Sequence, residues 1–401
     1  MAQLDFQIFD TDNHYYEAID AFTRHMDPKM APRAMQWVEL DGKKTLLVGG
    51  KVNHYFAYPA CDPIWKPGSL CELIRGNNPK GLDFLEVATD YEPARPEYTD
   101  RDARLAKMDE QGIEGIFSFF SLATGLEQEL DRSDPEACMA AFKAFNRWLD
   151  EDWGFHYKDR IHAPPYITLI DPDHAVQELE WALERGTRVV AIRPGPVPTR
   201  DGMRSPGDRM FDPFWARVNE AGITVGYHGG AGLYMDWLSA WGESSMFDFQ
   251  DSTFNEVVSF NQQRNASDNI TALICHGVFE RFPRIRVATV ESSSAWVIPL
   301  LKELSRVNRM LPKGFAEDPV ETFRRHVFIS CTPCMLIEPN DLRELRDAIG
   351  AENILMGSDY PHAEGLENPT DMVHELDGFS DDEIRLVMRE NGLRLVQPPA
   401  F

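Results

Sequence analysis

Apolar runs of strand length alternate with helical segments along most of this 401-residue chain. The pattern predicts strands at 4–9, 113–120, 161–170, 188–192, 223–227, 286–290, 327–330 and 354–356. It predicts helices at 99–111, 135–153, 172–185, 213–221 and 255–275, and a last helix at 380–396 that opens with a Ser380–Glu383 capping box. Eight strands that alternate with helices predict an α/β fold, the (β/α)8 TIM barrel, which would occupy residues 1–401 as one domain.

Residues 15–98 interrupt this alternation directly after the first strand. The stretch is irregular, rich in Pro, Gly and aromatic residues, and too long for an ordinary loop. Within it, residues 36–40 and 45–48 flank Asp41-Gly42, which predicts a β-hairpin. We therefore expect an insertion in the barrel, which either covers a site as a cap or makes contacts between subunits.

Charge and cysteine content restrict the partners and the compartment. The formal net charge of -25 argues against nucleic acid or an anionic membrane surface as a partner. No 18-residue apolar run is present, and the N-terminus lacks the basic-then-apolar layout of a secretory signal. Six cysteines in a chain of this length do not indicate a disulfide framework, and the lone Cys331-x-x-Cys334 does not indicate a zinc finger. We therefore expect a cytoplasmic protein that binds a small molecule.

Polar residues follow the predicted strands where a barrel would place an active site. The segment Asp10-Thr-Asp12-Asn-His14 ends the first strand, and its alternate residues would share one face. Two oxygen donors and one nitrogen donor there suit a divalent metal, although a polar strand end without a metal shows the same pattern. The residues predicted at the other strand ends are Arg193, His228, Glu291 and Asp359.

Each of these strand-end residues has more than one interpretation. His228, which precedes two glycines, is a metal ligand or a polar end of the strand. Asp359 could bind a metal and deprotonate its water, or it could cap a helix. His362, just beyond it, is a candidate for substrate contact or proton transfer. Glu291 could support a ligand, act as a general acid or base, or bind a second metal.

The remaining candidates concern the substrate. Arg193 could pair bidentately with a substrate carboxylate, or it could belong to a structural ion pair. The loop at 231–249 is dense in apolar side chains, including Tyr234 and Trp237, and could form an apolar wall for a bulky substrate or a subunit contact. His276 ends a predicted helix on the opposite face of the barrel, so we expect a structural role for it.

Several motifs together resemble the amidohydrolase-related proteins of the amidohydrolase superfamily, the branch that includes aminocarboxymuconate-semialdehyde decarboxylase and γ-resorcylate decarboxylase. The resemblance covers the first 18 residues and nearly everything after residue 98. Its motifs are Asp10-x-Asp12-x-His14, ARLAKMD at 103–109, VGYHGG at 225–230, GVFERFP at 277–283 with VATVE at 287–291, GSDYPH at 357–362, and Glu390-Asn391. The resemblance implies a metal-dependent barrel in which Asp12, His14, His228 and Asp359 hold the metal, with water completing the shell.

The chain departs from the family pattern at three positions. The first ligand position, often His or Glu in the family, is Asp12. The sixth-strand position that carries a catalytic His in the decarboxylases is Glu291. The fourth strand ends in Arg193 and lacks the Lys whose carbamate bridges two metals in other branches. We therefore expect one metal site, with a second metal near Glu291 left open.

The predicted function is a metal-dependent hydrolase. A metal-activated water would attack a carbonyl-type bond (ester, thioester, lactone, amide or C–C) of a small, bulky apolar or aromatic substrate. Asp359, with His362 or Glu291, would move protons, and the residues expected to contact the substrate are Arg193, Tyr234 and Trp237. The alternative is non-oxidative decarboxylation of an aromatic or muconate-type acid, and a non-catalytic barrel is disfavoured. Zn²⁺ is the expected ion, with Mn or Fe as alternatives, in a homo-oligomer (a dimer or larger).

Overall fold

Eight parallel strands form the centre of the protein in a computed structural model. The structure describes residues 4–53, 63–82, 84–229, 239–243, 253–254, 257, 263–336, 338 and 340–398. The strands are β1 (Ile8–His14), β2 (Ile113–Phe119), β3 (Ile161–His162), β4 (Val189–Ala191), β5 (Thr224–His228), β6 (Arg286–Val290), β7 (Val327–Cys331) and β8 (Ile354–Met356). They pair in sequence order in two sheets, β1-β2-β3 and β4-β5-β6-β7-β8.

The two sheets are joined at both edges by parallel bridges. Asn13 pairs with Tyr360 just beyond β8, and Tyr166 just beyond β3 pairs with Ala191 in β4. Backbone hydrogen bonds accompany both bridges, from Asp359 N–H to Asp12 O at 2.6 Å and from Ala191 N–H to Pro165 O at 2.9 Å. Each strand therefore contacts the next one in the chain and β8 contacts β1, as a barrel requires.

Helices connect the strands and cover them from outside. The α-helices of the described residues are Cys71–Ile74, Phe84–Val87, Arg101–Gln111, Ala123–Leu130, Pro135–Asp152, Pro172–Leu183, Asp212–Ala221, Gln263–Cys275, Val278–Arg281, Val297–Met310, Pro319–His326, Asp341–Ile349, Asp381–Arg385 and Asn391–Leu395. A π-helical turn at Leu386–Glu390 joins the last two, and short 3-10 helices lie at Ala31–Arg33, Pro96–Tyr98, Arg209–Phe211, Pro333–Met335, Ala351–Asn353 and Pro369–Glu375. No helix of the described residues is long and apolar enough to cross a membrane.

Local sequence signals explain where several helices begin and end. The side chains of Asp100, Asp134 and Asp171 each accept a hydrogen bond from a backbone N–H of the first turn that follows. Ser380 and Glu383 form the predicted capping box. These caps satisfy backbone groups that a helix leaves unpaired, and the predicted starts of these four helices agree with the structure to within two residues.

Two predicted strands differ from the structure by more than two residues, and one predicted helix lies partly outside the described residues. The first strand starts at Ile8 instead of residue 4 and runs through His14, because the bridge to Tyr360 and the pairing with β2 keep its polar end in the ladder. The third strand ends at His162 instead of residue 170, since Pro164 and Pro165 have no N–H to donate. The helix predicted at 255–275 is described only at Gln263–Cys275.

Smaller antiparallel pairs lie outside the central strands. Within the segment 15–98, Met35–Leu40 pairs with Lys43–Val48 across Asp41 and Gly42, and a short strand at Lys51–Val52 extends the pair. Both turn residues have positive φ, as a two-residue hairpin turn requires. The other pairs are Ile64–Trp65 with Tyr91–Glu92, and Val197–Thr199 with Gly202–Arg204.

A disulfide connects the segment 15–98 to the far end of the chain. Cys71 bonds to Cys334, 263 positions later, whereas Cys331 is free and buried. The sequence analysis did not predict this bond, and with it the cysteines no longer support the expected cytoplasmic location. Hydrogen bonds from Gly68 N–H to His362 O (3.2 Å) and from Leu70 N–H to Ala363 O (2.8 Å) place the same segment on the loop after β8.

Candidate metal centre

β1 carries the first two residues of the centre at its C-terminal end. Asp12 and His14 occupy alternate positions, and both side chains are fully buried. A contact of 3.2 Å between Nδ1 and the Phe120 carbonyl oxygen fixes the His14 ring. Asp12 Oδ2 accepts a hydrogen bond from the Thr332 hydroxyl at 2.8 Å. His14 Nε2 and Asp12 Oδ1 then lie 3.2 Å apart.

Asp10, two positions earlier, stabilises the junction between β1 and β8. Its buried carboxylate accepts hydrogen bonds from the Ser358 backbone N–H (3.0 Å), the Ser358 hydroxyl (2.6 Å) and the Asn13 side-chain amide (2.8 Å). Burial raises the pKa of Asp10 to about 6, although these hydrogen bonds oppose that rise. Asp10 therefore holds together the two strand ends that bear Asp12, His14 and Asp359.

His228 ends β5, and its Nε2 lies 3.2 Å from Nε2 of His14. Its Nδ1 contacts the Gly229 carbonyl oxygen at 3.0 Å, just as Nδ1 of His14 contacts the Phe120 carbonyl oxygen. A carbonyl oxygen only accepts, so these contacts assign a hydrogen to each Nδ1. In neutral rings both Nε2 lone pairs then face the same space, an arrangement that a bound cation stabilises.

Two more carboxylates complete the cluster from β6 and β8. Glu291 follows β6 with its Oε2 at 3.1 Å from His228 Nε2. Asp359 follows β8 with its Oδ1 at 3.3 Å from His14 Nε2 and 2.7 Å from His362 Nδ1. Both residues have left-handed backbones, with φ of 49° and 57°, a conformation that non-glycine residues rarely adopt outside sites that need it. Asp359 Oδ2 is buried and accepts no hydrogen bond from the described residues.

Burial and the charges of neighbouring carboxylates make the ionised form of these residues less favourable. Burial raises the pKa of Glu291 well above its usual range, and the neighbouring charge of Asp359 raises it further. Burial likewise raises the pKa of Asp359, and the charge of Glu364 adds to the effect. Burial also disfavours ionised Asp12, yet the adjacent His14 and His228 rings lower its pKa. The centre thus concentrates negative charge in a buried space, which a divalent cation would offset.

The donor atoms fit a divalent metal. One ligand atom from each of Asp12, His14, His228 and Glu291 can be chosen so that all lie within 4.8 Å of one another. Two further groups meet the same criterion, namely His14, Asp359 and His362, and Glu291, Asp359 and Glu364. Imidazole nitrogens with carboxylate oxygens are ligands that Zn²⁺, Mn²⁺ and Fe²⁺ accept. The strand ends therefore form a candidate site for a divalent metal ion.

The structure brings most of the predicted site residues together and separates others. Asp12, His14, His228, Glu291, Asp359 and His362 form one cluster at the C-terminal ends of β1, β5, β6 and β8. Arg193 instead is buried, with its Nη1 at 2.6 Å from Asp131 and its Nε at 3.6 Å from Glu127. Of the two roles predicted for this residue, the structural ion pair is therefore the one observed. Tyr234 and Trp237 lie outside the described residues. His276 is exposed and contacts Ser205 at 2.7 Å.

Three residues of the centre escaped the sequence analysis. Thr332 follows β7 and donates to Asp12, and Ser121 lies just beyond β2 with its Oγ at 2.9 Å from His362 Nε2. Glu364 lies two positions after His362 and contributes a carboxylate near Asp359. The rule that active-site residues follow barrel strands, applied to β2 and β7 as well, would have found the first two.

These features define the class of protein: an enzyme whose parallel strands end in a divalent-metal site. A family model described as amidohydrolase matches residues 10–397, so the chain belongs to the amidohydrolase family. A solved amidohydrolase from Mycobacterium avium subsp. paratuberculosis K-10 is 41% identical with a TM-score of 0.91, over 98% of this chain and 100% of that one. The predicted resemblance is therefore confirmed, and the TIM barrel that the family implies agrees with the strand order.

More distant structures share the fold. A 2,6-dihydroxybenzoate decarboxylase from Rhizobium is 18% identical with a TM-score of 0.59, over 83% of this chain and 96% of that one. A dihydroxybenzoic acid decarboxylase from Polaromonas sp. JS666, solved with manganese and the inhibitor 2-nitroresorcinol, is 18% identical with a TM-score of 0.57, over 84% of this chain and 97% of that one. At this identity the likeness concerns the architecture.

Proposed function

We propose that this protein is a divalent-metal-dependent decarboxylase of a small aromatic or muconate-type acid. The observation that carries the proposal is the pair of His14 and His228 Nε2 atoms, which face one space at 3.2 Å beside buried carboxylates. A cation there would provide the positive charge that an acidic substrate needs for binding. The structurally similar decarboxylases support this reaction over the hydrolysis expected from the sequence.

Exposure separates the residues that hold the metal from those that reach the substrate. Asp12, His14 and Asp359 have fully buried side chains, whereas those of Glu291 and His362 are 14% and 16% exposed. Asp12, His14, His228 and Asp359 would hold the ion, as the resemblance implies. Glu291 and His362, each close to Asp359, would then face the substrate. The bound ion would neutralise the substrate carboxylate and polarise a neighbouring oxygen.

The remaining chemistry belongs to the side chains. The bond between the substrate carbon and its carboxylate breaks, carbon dioxide leaves, and the electron pair stays on the carbon. Glu291 in its protonated form delivers one proton to that carbon and recovers it from solvent, while His362 orients a polar group of the substrate. Glu291 would thus replace the catalytic histidine that the resemblance places at this position in the decarboxylases.

Hydrolysis is the second candidate, and the position of Glu291 favours it. The Glu291 carboxylate lies 3.1 Å from Nε2 of His228, a proposed metal ligand. It could deprotonate a water molecule while the water attacks a carbonyl carbon. The water oxygen would bond to that carbon, the bond from the carbon to the leaving group would break with its electron pair, and the proton would pass through Glu291 to the leaving group. The residues of the centre are the same for both reactions, so the products must distinguish them.

The test uses the purified protein loaded in turn with Zn²⁺, Mn²⁺ and Fe²⁺. Hydroxybenzoates with a hydroxyl beside the carboxylate, 2,6-dihydroxybenzoate among them, and muconate-type acids are assayed for carbon dioxide. Esters, thioesters, lactones and amides of similar size are assayed for cleavage. We expect carbon dioxide release that Glu291→Gln lowers by roughly 10²-fold or more, whereas His276→Ala leaves it unchanged. Cleavage of the neutral substrates without carbon dioxide release from any acid would establish hydrolysis instead.

Other parts of the chain belong to the same proposal. Residues 15–98 would cap the centre as an insertion in the single domain, since the disulfide connects this segment to the turn after β7 and the hydrogen bonds of Gly68 and Leu70 connect it to the loop that bears His362. Tyr234 and Trp237 would line the substrate site, and the protein would assemble as a homo-oligomer. Metal analysis of the purified protein identifies the ion, and light scattering gives the number of subunits.

A further inference from the structure

A line of close polar contacts runs from the metal centre to the end of β2. Asp359 Oδ1 lies 2.7 Å from His362 Nδ1, and His362 Nε2 lies 2.9 Å from Ser121 Oγ. The His362 ring also packs against His14, with ring centroids 4.1 Å apart, and edge-on against Tyr16 at 5.8 Å. Asp359 and Ser121 thus each contact one of the two ring nitrogens of His362.

Ser121 is itself held in place by the chain around β1. Its backbone N–H donates to Glu17 Oε1 at 3.1 Å, and the next N–H, from Leu122, donates to the same oxygen at 2.8 Å. The Glu17 carboxylate is buried, and burial raises its pKa to about 7. The Ser121 hydroxyl donates to the Tyr15 carbonyl oxygen at 2.9 Å. Hydrogen bonds to Glu17 and to the Tyr15 carbonyl oxygen therefore hold the turn that carries the Ser121 hydroxyl.

The direction of the hydroxyl determines what it can do for His362. A serine hydroxyl has one hydrogen, and the Tyr15 carbonyl oxygen accepts it, so Ser121 Oγ is left to accept from His362 Nε2. Ser121 therefore favours the ring form that carries a hydrogen on Nε2 and opposes a flip of the ring. Among the described residues, Ser121 makes no hydrogen bond to Asp12, His14, His228 or Asp359, the four residues proposed to hold the metal, so this role is separate from that of those four ligands.

We propose that Ser121, supported by Glu17, is a positioning residue that fixes the His362 ring for its contact with the substrate. The inference rests on the proposed function, in which His362 faces the substrate. Positional error of about 1 Å at a reacting group can cost roughly 10²-fold in rate. Loss of the Ser121 hydroxyl should therefore lower turnover without removing the metal.

The first experiment is a double-mutant cycle on the metal-loaded protein. We expect Ser121→Ala to lower kcat/KM roughly 10–100-fold, Ser121→Thr to keep most of the activity, and Ser121→Ala combined with His362→Gln to be no worse than His362→Gln alone. Ser133→Ala is the matched control, because the Ser133 hydroxyl also donates to a carbonyl oxygen, that of Glu129, at 2.8 Å. Additive losses in the double variant, with unchanged metal content, would overturn the proposal.

The second experiment does not depend on the substrate. In protein with ¹⁵N-labelled histidine, His362→Gln assigns the His362 signals among those of the 11 histidines. We expect Ser121→Ala to shift the Nε2 signal of His362 and Ser133→Ala to leave it in place. An unchanged signal in Ser121→Ala sinks the positioning role, whereas a shifted signal in a protein that decarboxylates nothing leaves that role standing and refutes only the proposed function.

Discussion

Thr332→Val should weaken metal binding although it changes none of the proposed metal ligands. The Thr332 hydroxyl donates to Asp12 Oδ2 at 2.8 Å, and both side chains are buried. Valine has nearly the same shape, so the change removes the hydrogen bond and little packing. A hydrogen bond to an ionised group contributes about 1.5–3 kcal/mol. Since about 1.4 kcal/mol corresponds to a tenfold change in affinity, we expect metal affinity to fall roughly 10–100-fold.

The matched control for this change is Thr289→Val in β6. The Thr289 hydroxyl is equally buried, but it has no hydrogen-bond partner among the described residues. Both variants exchange a hydroxyl for a methyl group in a buried place near the ends of neighbouring strands. Only Thr332→Val removes a partner of a metal ligand. Thr289→Val should therefore leave metal affinity within about twofold of the unmodified protein, because no bond to the centre is lost.

The assay is competition between the apoprotein and a coloured chelator for Zn²⁺ and for Mn²⁺. The ratio of dissociation constants between each variant and the unmodified protein is the quantity of interest, and circular dichroism checks that each variant folds. An affinity of Thr332→Val equal to that of Thr289→Val would show that the contact to Asp12 does not orient a ligand, and the assignment of Asp12 to the metal would lose its support.

Three further predictions concern activity and stability. Asp359→Asn should lower the rate roughly 10²-fold or more in either reaction, measured by product release, since its carboxylate adjoins both His14 and His362. Arg193→Met should cost about 3–5 kcal/mol in thermal or urea unfolding, because the buried Asp131 carboxylate loses its ion-pair partner at 2.6 Å and keeps Arg132 at 3.7 Å; an unchanged midpoint would contradict the ion pair. His162 has a pKa that burial lowers from 6.5 to about 3, so its contribution to stability is lost as the pH falls through that window. His162→Phe should therefore reduce the slope of the free energy of unfolding against pH by at most roughly 1.4 kcal/mol per pH unit. Equal slopes in the variant and the unmodified protein would refute this.

The parts of the centre that the sequence predicts are those that depend on local pattern. Asp12 and His14 follow from alternation in a strand, and His228, Glu291 and Asp359 follow from their positions after apolar runs. Parallel strands bring their carboxyl ends to one edge, so residues far apart in the chain could be assigned to one site. The order of the strands and the grouping of these five residues could therefore be predicted without the structure, whereas Thr332, Ser121 and Glu364 were missed.

Contacts that depend on distant partners could not be predicted. In the sequence, an arginine at a strand end looks the same whether it binds a substrate or forms an ion pair. Only the fold shows that Asp131 and Glu127 contact Arg193. The helix Ala123–Leu130, which carries Glu127, was not predicted, and its short run interrupted by Gly125 gave no clear helical period. The pairing of Cys71 with Cys334 has no signal in their spacing, because 263 positions separate them.

The Cys71–Cys334 bond divides the chain into a covalent ring and two tails. The ring contains β2 to β7, and therefore His228 and Glu291, whereas β1 and β8, with Asp12, His14 and Asp359, lie on the tails. A loop of 263 positions removes about 5 kcal/mol of chain entropy from the unfolded state on the simple closure model. A metal bound by His14, His228 and Asp359 would then link both tails to the ring, so the coordination bonds and the disulfide would together cross-link the entire barrel.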